Sequence, residues 1–281
     1  MTARRALTLI GGGVVLLAII AFFLMPYAWI IASSFKPQSA IFRDLAPLSW
    51  RSFVATDPTL LNIIALFRDR GVGRALLNSA IVSIAQVAGT LVLCSMAAYA
   101  LTRMRFRGAG LVFGLVLMTF LLPLESLMVP LYMTVSGMGL QDTLPGVFIP
   151  WIASPFGLFL LRQSFEELPR ELDEAARMDG AGHWRIFWSV VLPNVRTALA
   201  TLALVTFLFS WNAFLWPLVV LSSPRQAVIQ IAIAQSVAPG QLPNWGETFA
   251  GVTVATIPLI LLFLLLQRFF VRGIAMSGVK G

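Results

Sequence analysis

Long runs of consecutive apolar residues constrain this chain more than any other feature. Residues 14–29 and 259–266 contain no charged side chain, and hydrophobic residues make up 58% of the sequence against 11% charged. About 20 helical residues cross a hydrocarbon core roughly 30 Å thick. Strands of a membrane barrel would alternate apolar and polar residues, and these runs do not. The sequence therefore predicts an all-α integral membrane protein.

Six transmembrane helices are predicted, and together they form a single domain over residues 1–281. A loop at 165–193 lies within this domain and joins the fourth helix to the fifth. The predicted spans are 8–32, 75–100, 109–133, 143–164, 196–221 and 249–271. An even number of spans puts both termini on the same side of the membrane.

The distribution of basic residues predicts which side that is. Of the Lys and Arg residues, 13 fall on the face that carries both termini and the 165–193 loop, and 7 fall on the other face. Because Lys and Arg accumulate in cytoplasmic loops, both termini are expected in the cytoplasm.

Several function classes lack their residues in this sequence. The net charge of +8 is scattered between apolar runs and forms no basic stripe of the kind that binds nucleic acid. Cys94 is the only cysteine and His183 the only histidine, so we expect no metal site. No GxxxxGK[ST], HExxH or GxSxG pattern occurs, which excludes a nucleotide-binding P-loop and the common hydrolase motifs. The chain is not expected to be an enzyme.

The 165–193 loop has the pattern of two short amphipathic helices. Its first half, PRELDEAARMDG at 169–180, has proline and acidic residues early and glycine at the end, with Asp173 and Arg177 spaced as an i,i+4 pair. In its second half, four apolar residues are spaced as one stripe: Trp184, Phe187, Trp188 and Val191. The stripe fits either docking into a groove of a soluble partner or burial under lipid headgroups.

The same loop resembles the EAA loop of ATP-binding-cassette (ABC) importer permeases. The residues that carry the likeness are Glu174, Ala175, Ala176, Gly180, Val190, Leu192 and Pro193. Elsewhere the sequence is similar to the carbohydrate-uptake group with a type I fold, and most of all to the smaller, six-helix partner of the maltose-type heterodimer. Those matches are Ser34-Phe35-Lys36-Pro37, Asn78-Ser79, Ala98-Tyr99-Ala100-Leu101, Ile149-Pro150, Trp211-Asn212 and Gly278-Val279-Lys280-Gly281.

The resemblance implies a role for the loop and a set of partners. In that family the loop is a coupling helix that docks on an ATPase subunit. The expected partners are a second permease subunit, two ATPase subunits that bind Mg-ATP, and an extracytoplasmic sugar-binding protein in a bacterial or archaeal cell membrane. The chain itself is expected to hold no cofactor. The docking residues would be Glu174, Ala175, Ala176, Asp179, Gly180, Leu192 and Pro193.

The substrate path is predicted less sharply by the sequence. Glu125 lies within an apolar run, where a charge is costly, so it either lines the path or pairs with another subunit. Trp211 and Asn212 can contact a sugar or pack between helices, and Asn78 with Ser79 and Gln86 forms another polar face. The outer loop at 222–246 either contacts the binding protein or is a plain connector.

Three functions therefore follow from the sequence. The first is a permease subunit of an ATP-driven importer for a sugar or oligosaccharide. The second is an ABC permease for another solute such as glycerol phosphate. An ion-coupled secondary transporter is the third, since it also uses polar residues inside the membrane but needs no ATPase-docking loop.

Overall fold

A computed structural model describes residues 3–45, 47–104, 106–237 and 243–277, with side chains described between 11 and 267. The predicted family match at Gly278–Gly281 and residues 238–242 of the outer loop lie outside the described residues.

Every regular element in the described residues is helical. Four short 3-10 turns and one π turn, Phe187–Val191, interrupt or flank the α-helices. The 3-10 turns are Trp50–Ser52, Ile149–Trp151, Pro224–Gln226 and Gln235–Val237. The α-helices in chain order are α1 Ala3–Ser34, α2 Gln38–Arg43, α3 Leu61–Arg68, α4 Val72–Arg103, α5 Ala109–Thr119, α6 Leu124–Gly137, α7 Leu144–Phe148, α8 Pro155–Glu166, α9 Glu171–Met178, α10 His183–Ile186, α11 Leu192–Asn194, α12 Arg196–Trp211, α13 Leu215–Val220, α14 Ile229–Ala234 and α15 Trp245–Ser277.

Three of these helices are long and apolar enough to cross a membrane alone, at Gly11–Ser34, Val72–Arg103 and Trp245–Gln267. Three further pairs reach that length only as bent units. They are Ala109–Thr119 with Leu124–Gly137, Leu144–Trp151 with Pro155–Glu166, and His183–Asn194 with Arg196–Trp211. If each pair is one span, the described residues contain up to six, as predicted.

Three of the predicted continuous helices were wrong in detail. The third, predicted over 109–133, bends by 103° between α5 and α6, where Pro123 adopts an extended conformation. The fourth, predicted over 143–164, bends by 45° between Leu144–Trp151 and Pro155–Glu166. The fifth, predicted over 196–221, ends at Trp211 and resumes at Leu215. Apolar composition does not reveal such breaks, because both halves of a broken helix are as apolar as a continuous one.

The backbone divides into two compact units, Met1–Gly73 with Ala232–Ile257, and Arg74–Ile231 with Pro258–Gly281. In the first unit a buried lysine holds the segment after α1. Lys36 is 1% exposed, and its ammonium donates to the carbonyls of Arg51 and Ser52 and pairs with Asp44 at 3.5 Å. The charge of Lys36 is thereby compensated within the unit, as a buried charge requires.

Two apolar clusters form the core of the second unit. One joins α4, α8 and α12 to the 165–193 loop through residues that include Tyr99, Phe165, Phe187 and Leu202. The other joins α4, α6, α7 and α13 to the start of the outer loop. The 165–193 loop is therefore built into the core of this unit.

Polar side chains fix the start of the outer loop, residues 222–231. The Asn78 amide donates to the carbonyls of Arg225 and Ala227 at 3.0 and 2.9 Å, and the Ser79 hydroxyl accepts from the N–H of Ile229 at 2.8 Å. Asp142 lies in the left-handed region, φ 56°, and accepts from Ser222 and Ser223.

We expect Asp142→Asn to remove a pH-dependent part of the stability. Hydrogen bonds from Ser223 and Ser222 hold the pKa of Asp142 below its ordinary value of 3.8. Because the folded pKa is the lower one, the stabilisation is complete above 3.8 and is lost as pH falls through the folded pKa.

Melting of the purified protein from neutral pH down to about pH 3 measures this effect. Asparagine tolerates the left-handed backbone, so the variant tests the charge and not the turn. Asp57→Asn, at an exposed aspartate of the first unit, is the matched control. Identical pH profiles for the native protein and Asp142→Asn would contradict the assignment.

Candidate functional site

The 165–193 loop begins with α9, Glu171–Met178, which lies within the segment that the sequence predicts to be helical. Its first turn carries Glu171, Asp173 and Glu174. Negative side chains are favourable there because the N-terminus of a helix carries a partial positive charge. The local sequence therefore specifies where this short helix starts.

Gly180 ends α9 with a left-handed turn, φ +81°. The N–H of Gly180 donates to the carbonyl of Arg177, and the N–H of Ala181 donates to the carbonyl of Ala176, both at 2.9 Å. This pair of bonds is a Schellman motif, which satisfies the last carbonyls of the helix. Gly180 thus caps the C-terminal end of α9, as the sequence predicts, and sets the direction of the following segment.

The second half of the loop is helical from His183 to Asn194 and contains the π turn Phe187–Val191. The predicted single apolar stripe was wrong. Phe187 and Val191 are buried, whereas Trp184 and Trp188 are 62% and 58% exposed. The stripe assumed 3.6 residues per turn, and a π turn changes that phase, so the two pairs face different surroundings.

The two faces of α9 have different surroundings. Leu172, Glu174, Ala175 and Asp179 are exposed, and Met178 is 84% exposed. Ala176 packs inward on the core, as does Leu192 near the loop's end, and Pro193 is exposed. Of the two alanines of the EAA match, Ala175 is the one that faces outward.

A buried ion pair ties α9 to the last residue of α4. Arg103 Nε lies 3.1 Å from Asp173 Oδ2, and the two side chains are 3% and 6% exposed. The same guanidinium donates to the carbonyl of Leu168 at 3.0 Å. The predicted i,i+4 pair was therefore wrong, since the ion-pair partner of Asp173 is Arg103 and not Arg177.

One turn earlier, Tyr99 of α4 contacts the second half of the loop. Its hydroxyl donates to the carbonyl of His183 at 3.3 Å and lies 3.4 Å from the Nδ1 atom of that residue. The Tyr99 ring packs edge to face on the Phe187 ring, with 5.3 Å between the ring centroids. The end of α4 thus holds both halves of the loop.

Two clefts border these contacts. An apolar cleft of about 240 Å³ lies between α4 and α10, beside Tyr99 and Trp184. A polar notch of about 280 Å³ is lined by Arg103, Arg170, Asp173, Glu174 and Arg177. Within the described residues, Asp173 Oδ1 is buried without a hydrogen-bond partner. Arg103 is paired, so the notch offers the exposed guanidinium groups of Arg170 and Arg177 and the unpaired Oδ1 atom of Asp173. These groups could bind a polar side chain from another protein.

The predicted path residues lie in four different settings. Asn78 is buried and uses its amide on the outer loop. Trp211 is buried and stacks on Phe207 at 5.4 Å, and its carbonyl accepts from Gln230. Asn212 is exposed and donates to the carbonyl of Leu208. Glu125 is exposed in the first turn of α6, directly after the 103° bend.

The sequence analysis did not identify Arg103 as a site residue. Tyr99 was noted only as part of a family match. One signal for Arg103 was present, because it is the first of three arginines, with Arg105 and Arg107, that follow a long run without charged residues. A sequence does not show which of several acids such an arginine meets.

Comparison with known proteins agrees with the membrane fold. Residues 90–276 match the family described as "Binding-protein-dependent transport system inner membrane component". The chain is 36% identical over 271 residues to the arabinooligosaccharides transport system permease protein of Halalkalibacterium halodurans, covering 96% of this chain and 95% of that protein. It is 37% identical over 206 residues to the sn-glycerol-3-phosphate transport system permease protein of Yersinia pestis, covering 73% of each.

A solved structure shares the fold. It is a chain of a bacterial ABC transporter involved in the import of the acidic polysaccharide alginate, with a TM-score of 0.83, 22% identity, and coverage of 96% of this chain and 99% of that one. Together with the bent membrane helices and the core-packed loop, these matches establish that the chain belongs to the family of inner membrane components of binding-protein-dependent transport systems.

Proposed function

We propose that this chain is the permease subunit of an ATP-driven importer that takes up a sugar or oligosaccharide delivered by an extracytoplasmic binding protein. Family membership supports the transport role. The arabinooligosaccharide relative, which matches nearly the whole chain, supports the solute class. The two compact units would act as one transmembrane domain, with both termini in the cytoplasm.

The 165–193 loop would dock on an ATPase subunit. The observation that carries this role is the division of α9 into two faces, one fixed to the core through Asp173 and one exposed through Leu172 and Met178. A helix that is held rigidly and presents apolar groups outward suits insertion into a groove of a soluble partner. Glu174 and Asp179 would add polar contacts at its rim.

The energy would come from two such ATPase subunits with Mg-ATP, one for each permease half. A second permease subunit would complete the pathway across the membrane. Closure of the ATPase pair would bring the docked loops together and switch the pathway from inward-facing to outward-facing. Asn212 and Glu125, both exposed in the isolated chain, are the proposed contacts to solute or to the second permease, and Trp211, which stacks on Phe207, precedes Asn212 in the chain.

A second candidate solute is a glycerol phosphate. The relative from Yersinia pestis carries that solute in its name and is about as identical to this chain as the arabinooligosaccharide relative, over a shorter match. An ion-coupled transporter is less well supported, because it has no need for a loop that is built to dock outward.

Co-purification with the ATPase, second permease and binding protein tests the proposal. We expect a complex whose ATP hydrolysis rises when the binding protein is loaded with one member of a panel of oligosaccharides. Glycerol phosphate belongs in the same panel, and a response to it alone would favour the second candidate. Solute uptake by the isolated chain on an ion gradient, with no ATPase bound, would contradict the proposal.

Gly180→Pro is expected to leave the chain inserted but to uncouple ATP hydrolysis from uptake. Proline fixes φ near −65° and has no N–H, so it cannot adopt the +81° turn or donate to Arg177. The segment after α9 would then leave in another direction.

Gly180→Asn is the matched control, because asparagine tolerates a left-handed backbone and keeps its N–H. Other side chains pay about 1–2 kcal/mol there. Uptake and ATP hydrolysis are measured in vesicles containing equal amounts of each complex. Normal uptake per ATP in Gly180→Pro would show that the turn has no coupling role.

A further inference from the structure

We propose that Arg103, supported by Tyr99, makes α4 the helix that receives the movement of the 165–193 loop, so that the two move as one rigid body. This inference rests on the proposed docking role of the loop. Arg103 and Tyr99 are positioning residues in it, since they act through the loop and contact no solute.

The contacts of Arg103 are arranged to fix the loop at two points. The guanidinium pairs with Asp173 on α9 and donates to the carbonyl of Leu168, in the link that precedes α9. Both charged side chains are almost fully buried. Removing one partner of a buried pair leaves an uncompensated charge, so such a pair resists separation more than a surface pair does.

Tyr99 adds a contact on the other side of the Gly180 turn. It lies four residues before Arg103, and residues four apart on a helix share one face. Its hydroxyl reaches the carbonyl of His183, the first residue of α10, and its ring packs on Phe187. One face of α4 therefore contacts the loop both before Gly180, through Arg103, and after it, through Tyr99.

The two helices that precede and follow the loop, α8 and α12, are joined to it by segments that are not helical. Helix α8 connects to α9 through the non-helical residues 167–170. Helix α12 follows the loop after a bend of 78°, where Val195 leaves helical geometry. Backbone rotation at these points can absorb movement. All three helices pack on the loop in one buried apolar cluster, and α4 alone adds a buried ion pair to it, so α4 should follow the loop most closely.

Spin-label distances within the assembled complex test the inference. One label replaces Glu171, an exposed residue of α9 outside the proposed docking residues, and the other replaces the exposed Ile84 on α4, in a Cys94→Ala background. At 1.5 Å per residue, Ile84 and Arg103 are roughly 30 Å apart along α4, which suits such measurements. Distances are compared without nucleotide and with Mg-ATP plus vanadate, which traps the closed ATPase.

We expect the label distance to stay the same in both states of the native complex. In Arg103→Gln it should shift or broaden when Mg-ATP and vanadate are added. In Arg103→Lys, which keeps the charge but not the two separate guanidinium nitrogens, the change should be smaller than in Arg103→Gln. Arg162→Gln is the matched control, since it removes another arginine ion pair, with Glu166 at 2.8 Å, without touching α9. A purely structural role for Arg103 would lower the yield of complex without giving a nucleotide-dependent distance.

Tyr99→Phe provides a second test that does not depend on Arg103→Gln assembling. With labels at Trp188 and Ile84, loss of the hydroxyl should broaden the nucleotide-bound distance, whereas the ring contact with Phe187 keeps the fold. A native distance that changes with nucleotide, or unchanged distances in the variants, would overturn the inference and leave the proposed function standing. Failure of any ATPase subunit to bind would overturn both.

Discussion

Polar groups that leave water need partners inside the protein. This requirement shapes the chain where it leaves α1 and where it leaves α4. Along the spans, helices satisfy it for the backbone. After α1 and at the end of α4, a buried basic side chain pairs with a buried aspartate, so that each charge has a partner. Lys36, shortly after α1, closes the following segment onto Asp44, and Arg103, at the end of α4, closes the 165–193 loop onto Asp173. Each pair joins a loop to the unit that contains it.

The same requirement would allow the loop to serve as the proposed coupling element. A loop held only by apolar contacts could slide, because dispersion and burial have little directionality. Arg103 adds direction, since its guanidinium pairs with the carboxylate of Asp173 and donates a hydrogen bond to the carbonyl of Leu168. The exposed face of α9 is thereby presented at a defined angle to the helix that carries Arg103.

Those parts of the fold that depend on local pattern could be predicted from the sequence. Apolar runs predicted the spans, and proline, acidic residues and Gly180 predicted the bounds of α9. The parts that depend on distant pairing could not be predicted. Asp173 has a basic residue four positions away, yet its partner is 70 positions earlier in the chain. Asn78 was a candidate for the solute path because it is polar, and its amide instead holds the outer loop.

The proposed arrangement would separate coupling from solute selection. The relatives named for arabinooligosaccharides and for glycerol phosphate are nearly equally identical to this chain, although those solutes differ in size and charge. The ion pair of Arg103 with Asp173 would not depend on which solute is carried, because both groups belong to the chain itself. Residues such as Asn212 and Glu125, whose side chains are exposed in the isolated subunit, are free of that internal role. Selectivity can therefore change at exposed positions while the buried pair preserves the link between the loop and the membrane helices.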